Sequence, residues 1–175
     1  GVESVNFWDL PTDVWTKMIT VNSTGPFLMS RAAVGHMVKQ GWGRIIGVTT
    51  SLDTMLNDIP YGPTKATHEA LISAMAKDLE GTGVTSNALL PGGGTNTNFV
   101  NRNASRDLSH LVQPEVMGPP AVWLSSQEAN DFSGMRIIAQ DWDESRSAHE
   151  NIQMASAPAA WPQLGRRDTS SSFKT

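Results

Sequence analysis

Apolar residues recur at helical spacing through the N-terminal part of the chain. Trp15, Met18 and Ile19 are followed by Phe27, Leu28, Val34, Met37 and Val38. Ahead of them Leu10-Pro11-Thr12-Asp13 reads as a helix entry, with Thr12 or Asp13 able to cap the first amides. Gly25-Pro26 interrupts the run. Proline has no N–H and crowds the carbonyl four residues back, so a kinked helix with a free carbonyl at Asn22 is expected; an ordinary proline kink is the alternative. After Gly41-Trp42-Gly43 the β-branched run Ile45 to Thr50 reads as a buried parallel strand, with Thr49, Thr50 and Ser51 at its C-terminal end. A second helix runs from Tyr61 to about Glu80, with Leu71, Ile72, Met75, Ala76 and Leu79 as its core stripe and Gly81 as its stop. Val84 to Leu90 is a further strand. Pro114 or Glu115 opens a helix carrying Val116, Val122, Trp123 and Leu124, and Met135 to Ala139 follows Ser133-Gly134 as the last strand.

The order helix, strand, helix, strand, helix, strand predicts an α/β fold: a partial Rossmann-like parallel sheet of three strands with flanking helices. Residues 1–142 form the ordered part. Residues 143–175, rich in Ser, Ala and Pro, are expected to be an irregular or disordered tail, pinned by Trp161-Pro162. At 175 residues the chain suits one domain. The net charge of -4 and the lack of a basic run before Arg166-Arg167 argue against a nucleic-acid partner. With no cysteine, disulfides and thiolate metal sites are excluded, and no uncharged apolar run is long enough to span a membrane. The chain reads as soluble and cytoplasmic.

Candidate chemistry concentrates between Gly43 and Lys65. Tyr61 is the only tyrosine, and Lys65 lies one helical turn further along the same face. A cation beside a phenol favours phenolate and lowers its pKa, giving a proton donor and acceptor. The Thr and Ser hydroxyls end a strand, where open α/β sheets place their ligands, although such residues also cap turns. Pro91-Gly92-Gly93-Gly94-Thr95-Asn96-Thr97 allows close backbone approach to a ring or phosphate; a merely flexible loop is the plainer reading. His68, a turn beyond Lys65, reads as a solvated or interface histidine. The polar loop 98–112 is expected to cover a substrate and offers no charge theme or aromatic clamp.

Four blocks stand in an order that resembles the short-chain dehydrogenases/reductases: V-N-S-T-G at 21–25, G-R-I-I-x-V at 43–48, Y-G-P-T-K at 61–65 and N-A-L-L-P-G at 87–92. A-V-W-L-S-S through S-G-M-R-I-I resembles that family's late segment, so the likeness covers about residues 1–142. It implies an NAD or NADP cofactor and a small-molecule alcohol or carbonyl substrate. Tyr61 would be the general acid/base, and Lys65 would lower its pKa and hold the nicotinamide ribose. The Asn22 carbonyl would hold a relay water. Pro91, Gly92 and Gly94 would contact the nicotinamide, with Thr95 and Thr97 near the phosphates. The resemblance also implies a homo-oligomer, assembled through the helices at about 12–39 and 61–80.

Two departures qualify the likeness. Counting from Gly43, the family's catalytic serine falls on Thr50, while the serine itself is Ser51; both stay open, with Ser51 preferred. The family's Gly-rich cofactor-binding segment is also missing; on the order of ninety residues would precede Gly1 in a complete fold. The expectation is a fragment of a longer enzyme, inactive alone, whose first strand has an open edge. The competing function is a truncated, non-catalytic binding or assembly module. A hydrolase reading of Ser51 lacks a nucleophile elbow.

Overall fold

A computed structural model of the chain describes residues 6–99 and 110–165. Its axis is strand β2, Val84–Leu90, buried at every position because its run of Val, Thr, Ser, Asn, Ala and Leu carries no charge to solvate. On one side β2 pairs in parallel with β1, Gly43–Val48, and on the other with β3, Met135–Ile138. The three expected parallel strands are present. β1 begins earlier than expected because Gly43 and Arg44 pair with Val84 and Thr85, and it ends at Val48, leaving Thr49, Thr50 and Ser51 beyond the strand.

A fourth strand corrects the three-stranded count. β4, Ser156–Pro158, runs antiparallel along β3, with Arg136 opposite Ala157, giving the order β1-β2-β3-β4. The segment expected to be irregular therefore holds a strand. It also holds a helix, α6, Ala148–Ala155. Ser147 and Glu150 start α6 with a reciprocal capping box, and the buried Ala155 joins the core of Leu89, Trp123, Leu124, Ala129, Ile137 and Ala139. Arg166-Arg167 lie outside the described residues, as do residues 100–109 of the loop expected to cover a substrate.

The N-terminal helical run divides at the proline. α1, Thr12–Ile19, passes into a wide turn at Thr20–Thr24, closed by the Gly25 N–H on the Thr20 carbonyl, and α2 then spans Gly25–Gln40. The expected kink thus takes the form of a π-helical turn, which inserts a residue just ahead of Pro26. Between Ser51 and Tyr61, expected as a plain loop, lies α3, Leu52–Asn57. α4, Tyr61–Asp78, packs across β1 and β2 and buries Gly62, Thr64, His68, Glu69, Ile72 and Ala76. α3 crosses its start at Gly62, where a Cβ would lie 2.4 Å from the Thr54 carbonyl oxygen. α5, Gly118–Leu124, covers the sheet's other part with Trp123 and Leu124.

Candidate active site

The C-terminal ends of β1 and β2 open into a cavity of about 800 Å³, and α4 begins at its rim. Thr50, Ser51, Tyr61, Pro91, Gly92, Gly94, Thr95 and Thr97 all line it, so most residues singled out in the sequence meet on one surface. Asn22 and Lys65 are not part of this lining. A second cleft of about 850 Å³ near Trp142 is lined by Glu115, Asp141, Asp143 and Glu144 and holds none of the candidate groups.

Lys65 lies one turn behind Tyr61, as its spacing requires. Its Nζ donates to the Val48 carbonyl at 2.9 Å and sits 5.6 Å from the centre of the Tyr61 ring. Burial lowers the Lys65 pKa. The phenol moves opposite to the sequence expectation: burial pushes the Tyr61 pKa up, and the nearby Asp58 carboxylate adds to the rise. A desolvated cation already committed to a backbone carbonyl does not offset the cost of burying phenolate. Tyr61 is therefore protonated at neutral pH.

The two candidate hydroxyls differ in their engagements. Ser51 caps α3, its Oγ accepting from the Thr54 N–H at 3.2 Å and lying 3.0 Å from the Thr54 hydroxyl. Thr50 lies two residues beyond the end of β1, and Arg136 Nη2 donates to its carbonyl at 3.3 Å. Asn22 reaches the site through its side chain: Nδ2 donates to Thr64 Oγ1 at 3.0 Å, and Thr64 Oγ1 donates to the Tyr61 carbonyl at 2.7 Å. The Ser23 hydroxyl donates to the Thr64 carbonyl at 3.1 Å. Pro26 has no N–H to give the Asn22 carbonyl, as the sequence requires.

The glycine run is pinned rather than slack. Gly92 has φ +107, and a Cβ there would lie 2.8 Å from Gln140 Cβ, so only glycine fits. The Val112 N–H donates to the Gly94 carbonyl and the Asn96 N–H to the Val112 carbonyl, both at 2.9 Å. The Thr95 and Thr97 hydroxyls turn back onto the carbonyls of Gly93 and Thr95.

His68 differs from its sequence reading. It is buried, and burial together with Lys65 lowers its pKa to about 4, so it stands neutral beneath the site. Sequence reasoning also missed Asp53, Thr54, Asp58, Phe99 and Met117 on the cavity wall. Phe99 supplies the aromatic contact thought absent, its ring 5.4 Å from that of Tyr61. Thr64 alone had a usable signal, since three residues after Tyr61 it shares the helix face.

Residues 1–107 match the family model described as short chain dehydrogenase. The chain is similar to NADPH-dependent aldehyde reductase 2, chloroplastic, of Arabidopsis thaliana: 30% identity over 142 residues, 75% of this chain and 52% of that relative. It is 30% identical over 147 residues to L-rhamnose 1-dehydrogenase (NAD(P)(+)) of Sphingomonas sp. strain SKA58, 75% of this chain and 57% of the relative. Among solved structures, acetoin dehydrogenase YohF from Salmonella typhimurium aligns with a TM-score of 0.64 at 27% identity, covering 79% of this chain and 58% of that one. The chain spans about half the length of the curated relatives it matches.

Proposed function

The chain belongs to the short-chain dehydrogenase family, and on that premise we propose that it holds the catalytic wall of an NAD(P)-dependent oxidoreductase interconverting an alcohol and a carbonyl. The observation that carries this reading is the single cavity lined by Thr50, Ser51, Tyr61 and the Pro91–Gly94 backbone. The glycine-rich floor offers a surface free of side chains, which suits a flat nicotinamide ring held by Pro91, Gly92 and Gly94. Lys65 spends one donor on the Val48 carbonyl and keeps two for the ribose hydroxyls. Thr95 and Thr97 would turn outward to the phosphates.

When bound, such a cofactor supplies or accepts the hydride. Tyr61 passes its phenol proton to the substrate oxygen in reduction and takes one back in oxidation. Thr50 orients that oxygen by a hydrogen bond, placed ahead of Ser51 because the Ser51 hydroxyl already serves the α3 cap. Asn22 steadies Tyr61 through Thr64, with its own carbonyl left for a relay water. The charged groups on the described cavity wall are Asp53 and Asp58, which favours an uncharged alcohol or carbonyl over an anionic one.

In the intact protein, NADPH- or NADH-dependent reduction of aldehydes, simple ketones and sugar lactones should be measurable by loss of cofactor absorbance. Tyr61→Phe should lower kcat roughly 100- to 10,000-fold with cofactor affinity nearly unchanged. Thr50→Ala should cost more than Ser51→Ala; the reverse order assigns the hydroxyl to Ser51, and an active Tyr61→Phe removes the mechanism.

A homo-oligomer and a cytoplasmic setting belong to the same reading. The first is supported by Leu28 and Met29 of α2, which are 52% and 73% exposed, and by the exposed Ala70 and Ala74 of α4. For the second, no described helix is long and apolar enough to cross a membrane. The same exposed face is what favours the second function, an assembly module without turnover.

A further inference from the structure

Glu69 follows Tyr61 and Lys65 at the same four-residue interval, which sets it on their side of α4 but deeper, where it is 0% exposed. A carboxylate does not lie there without partners. It has three, each from a different part of the chain. The Thr49 hydroxyl donates to Oε2 at 3.0 Å, the Ala160 N–H donates to Oε1 at 3.3 Å, and Arg136 Nε lies 3.0 Å from Oε1. The Nε–H is not aimed along a hydrogen bond, so this last contact is chiefly Coulombic. Arg136, itself 8% exposed, then donates from Nη2 to the Thr50 carbonyl.

We propose that the buried Glu69–Arg136 pair is a positioning device for the reaction, fixing the Thr49–Thr50 backbone so that the Thr50 hydroxyl meets the substrate oxygen, with the strand-and-turn segment 156–161 completing it. The inference rests on the oxidoreductase reading above. Its physical basis is the choice of partners. A buried ion pair is weak evidence for stability, because well-packed apolar residues usually replace one at little cost or with gain. A pair retained only for packing has no need of the residues that end β1. Here the carboxylate takes the hydroxyl of Thr49, the guanidinium takes the carbonyl of Thr50, and both residues line the cavity. The third partner extends the device to the C-terminal segment. Ala160 has φ 59, a left-handed turn that aims its N–H at Glu69, while the Ala159 N–H is held by the Gly134 carbonyl. Tyr61 and Thr50 are thus referenced to one helix, Tyr61 directly and Thr50 through Glu69.

The test is made in the intact protein with two variants. Glu69→Gln with Arg136→Met removes both charges together, leaving neither buried alone. Arg136→Lys keeps a cation for Glu69 but, with a single head group, gives up the Thr50 carbonyl. For the double variant kcat should fall about 10- to 100-fold, the effect of misplacing a reacting group by about an ångström, with the dinucleotide KM unchanged. Arg136→Lys should show a smaller loss of the same kind, and it decides the matter if the double variant does not fold. Amide hydrogen exchange at Thr50–Met55 should quicken in both. A folded variant with wild-type kcat, or with unchanged exchange in this segment, overturns the proposal. If the unmodified protein turns over no carbonyl with either cofactor, the functional reading fails separately, and exchange alone then decides whether the pair holds the loop.

Discussion

Two long helices flank this sheet, and they treat it differently. α4 buries Gly62, Thr64, His68, Glu69, Ile72 and Ala76, whereas α2 buries no residue fully. Both carry enough apolar side chains to form a core face; on α2 Phe27, Leu28, Met29 and Val38 remain exposed. The difference lies in what each helix lies against. α4 crosses β1 and β2, and small residues at its start let α3 and the strand ends come close. α2 packs chiefly against β1 and the π turn. A helix face acquires its role from available partners rather than from its own periodicity.

The largest test of this contrast is truncation. Ile72 is 0% exposed, so Ile72→Ala should cost about 2–5 kcal/mol in the transfer and cavity terms. Leu28→Ala, at a half-exposed position, should stay within about 0.5 kcal/mol of the parent when measured on the monomer. Chemical denaturation of both variants, with sedimentation to read assembly, separates the two helices. A large cost at Leu28 confined to concentrations where the protein self-associates would show that a second copy covers the α2 face.

A smaller effect comes from His68. Its pKa is near 6.5 when unfolded and about 4 when folded, because burial and Lys65 both disfavour imidazolium. The unfolded chain therefore binds more protons between those values, and stability falls as pH drops from about 6.5 toward about 4. The full linkage is on the order of 3 kcal/mol. Well above pH 6.5 the side chain is neutral in both states and contributes no slope. His68→Gln should flatten the acid limb of the stability curve; an unchanged limb assigns it to other groups.

Much of α4's role was legible in the sequence. The Tyr61–Lys65 spacing, the alternation of elements and the glycine run after β2 sufficed to bring the site residues to one end of the sheet. Three things were not legible. α3 is a single short helix whose start depends on Ser51 acting as a cap, a use of serine that sequence cannot distinguish from catalysis. β4 is three residues long and ends in proline, so no alternation marks it; backbone pairing with β3 makes it a strand. Glu69 and Arg136 carry no local mark of burial in the sequence, because the partner of each lies far along the chain. What escaped is one local cap, one short backbone pairing and one long-range ion pair.

The finest test concerns the phenol, where the site's electrostatics depart from the expected pattern. Burial raises the Tyr61 pKa first, and Asp58 raises it further. In the proposed reduction Tyr61 gives up its phenol proton, so the reductive rate should hold through neutral pH and fall only as pH rises through this elevated pKa. Asp58→Asn removes the negative charge without changing the side chain's shape, so the alkaline limb should move to lower pH while the neutral plateau stays level. Raised salt should produce a weaker shift in the same direction, because screening acts on the Asp58 contribution and leaves the burial contribution in place. The pH dependence of kcat/KM for carbonyl reduction, measured for both proteins at low and high salt, reads this directly. If the limb of Asp58→Asn coincides with the parent's, burial alone sets the Tyr61 pKa.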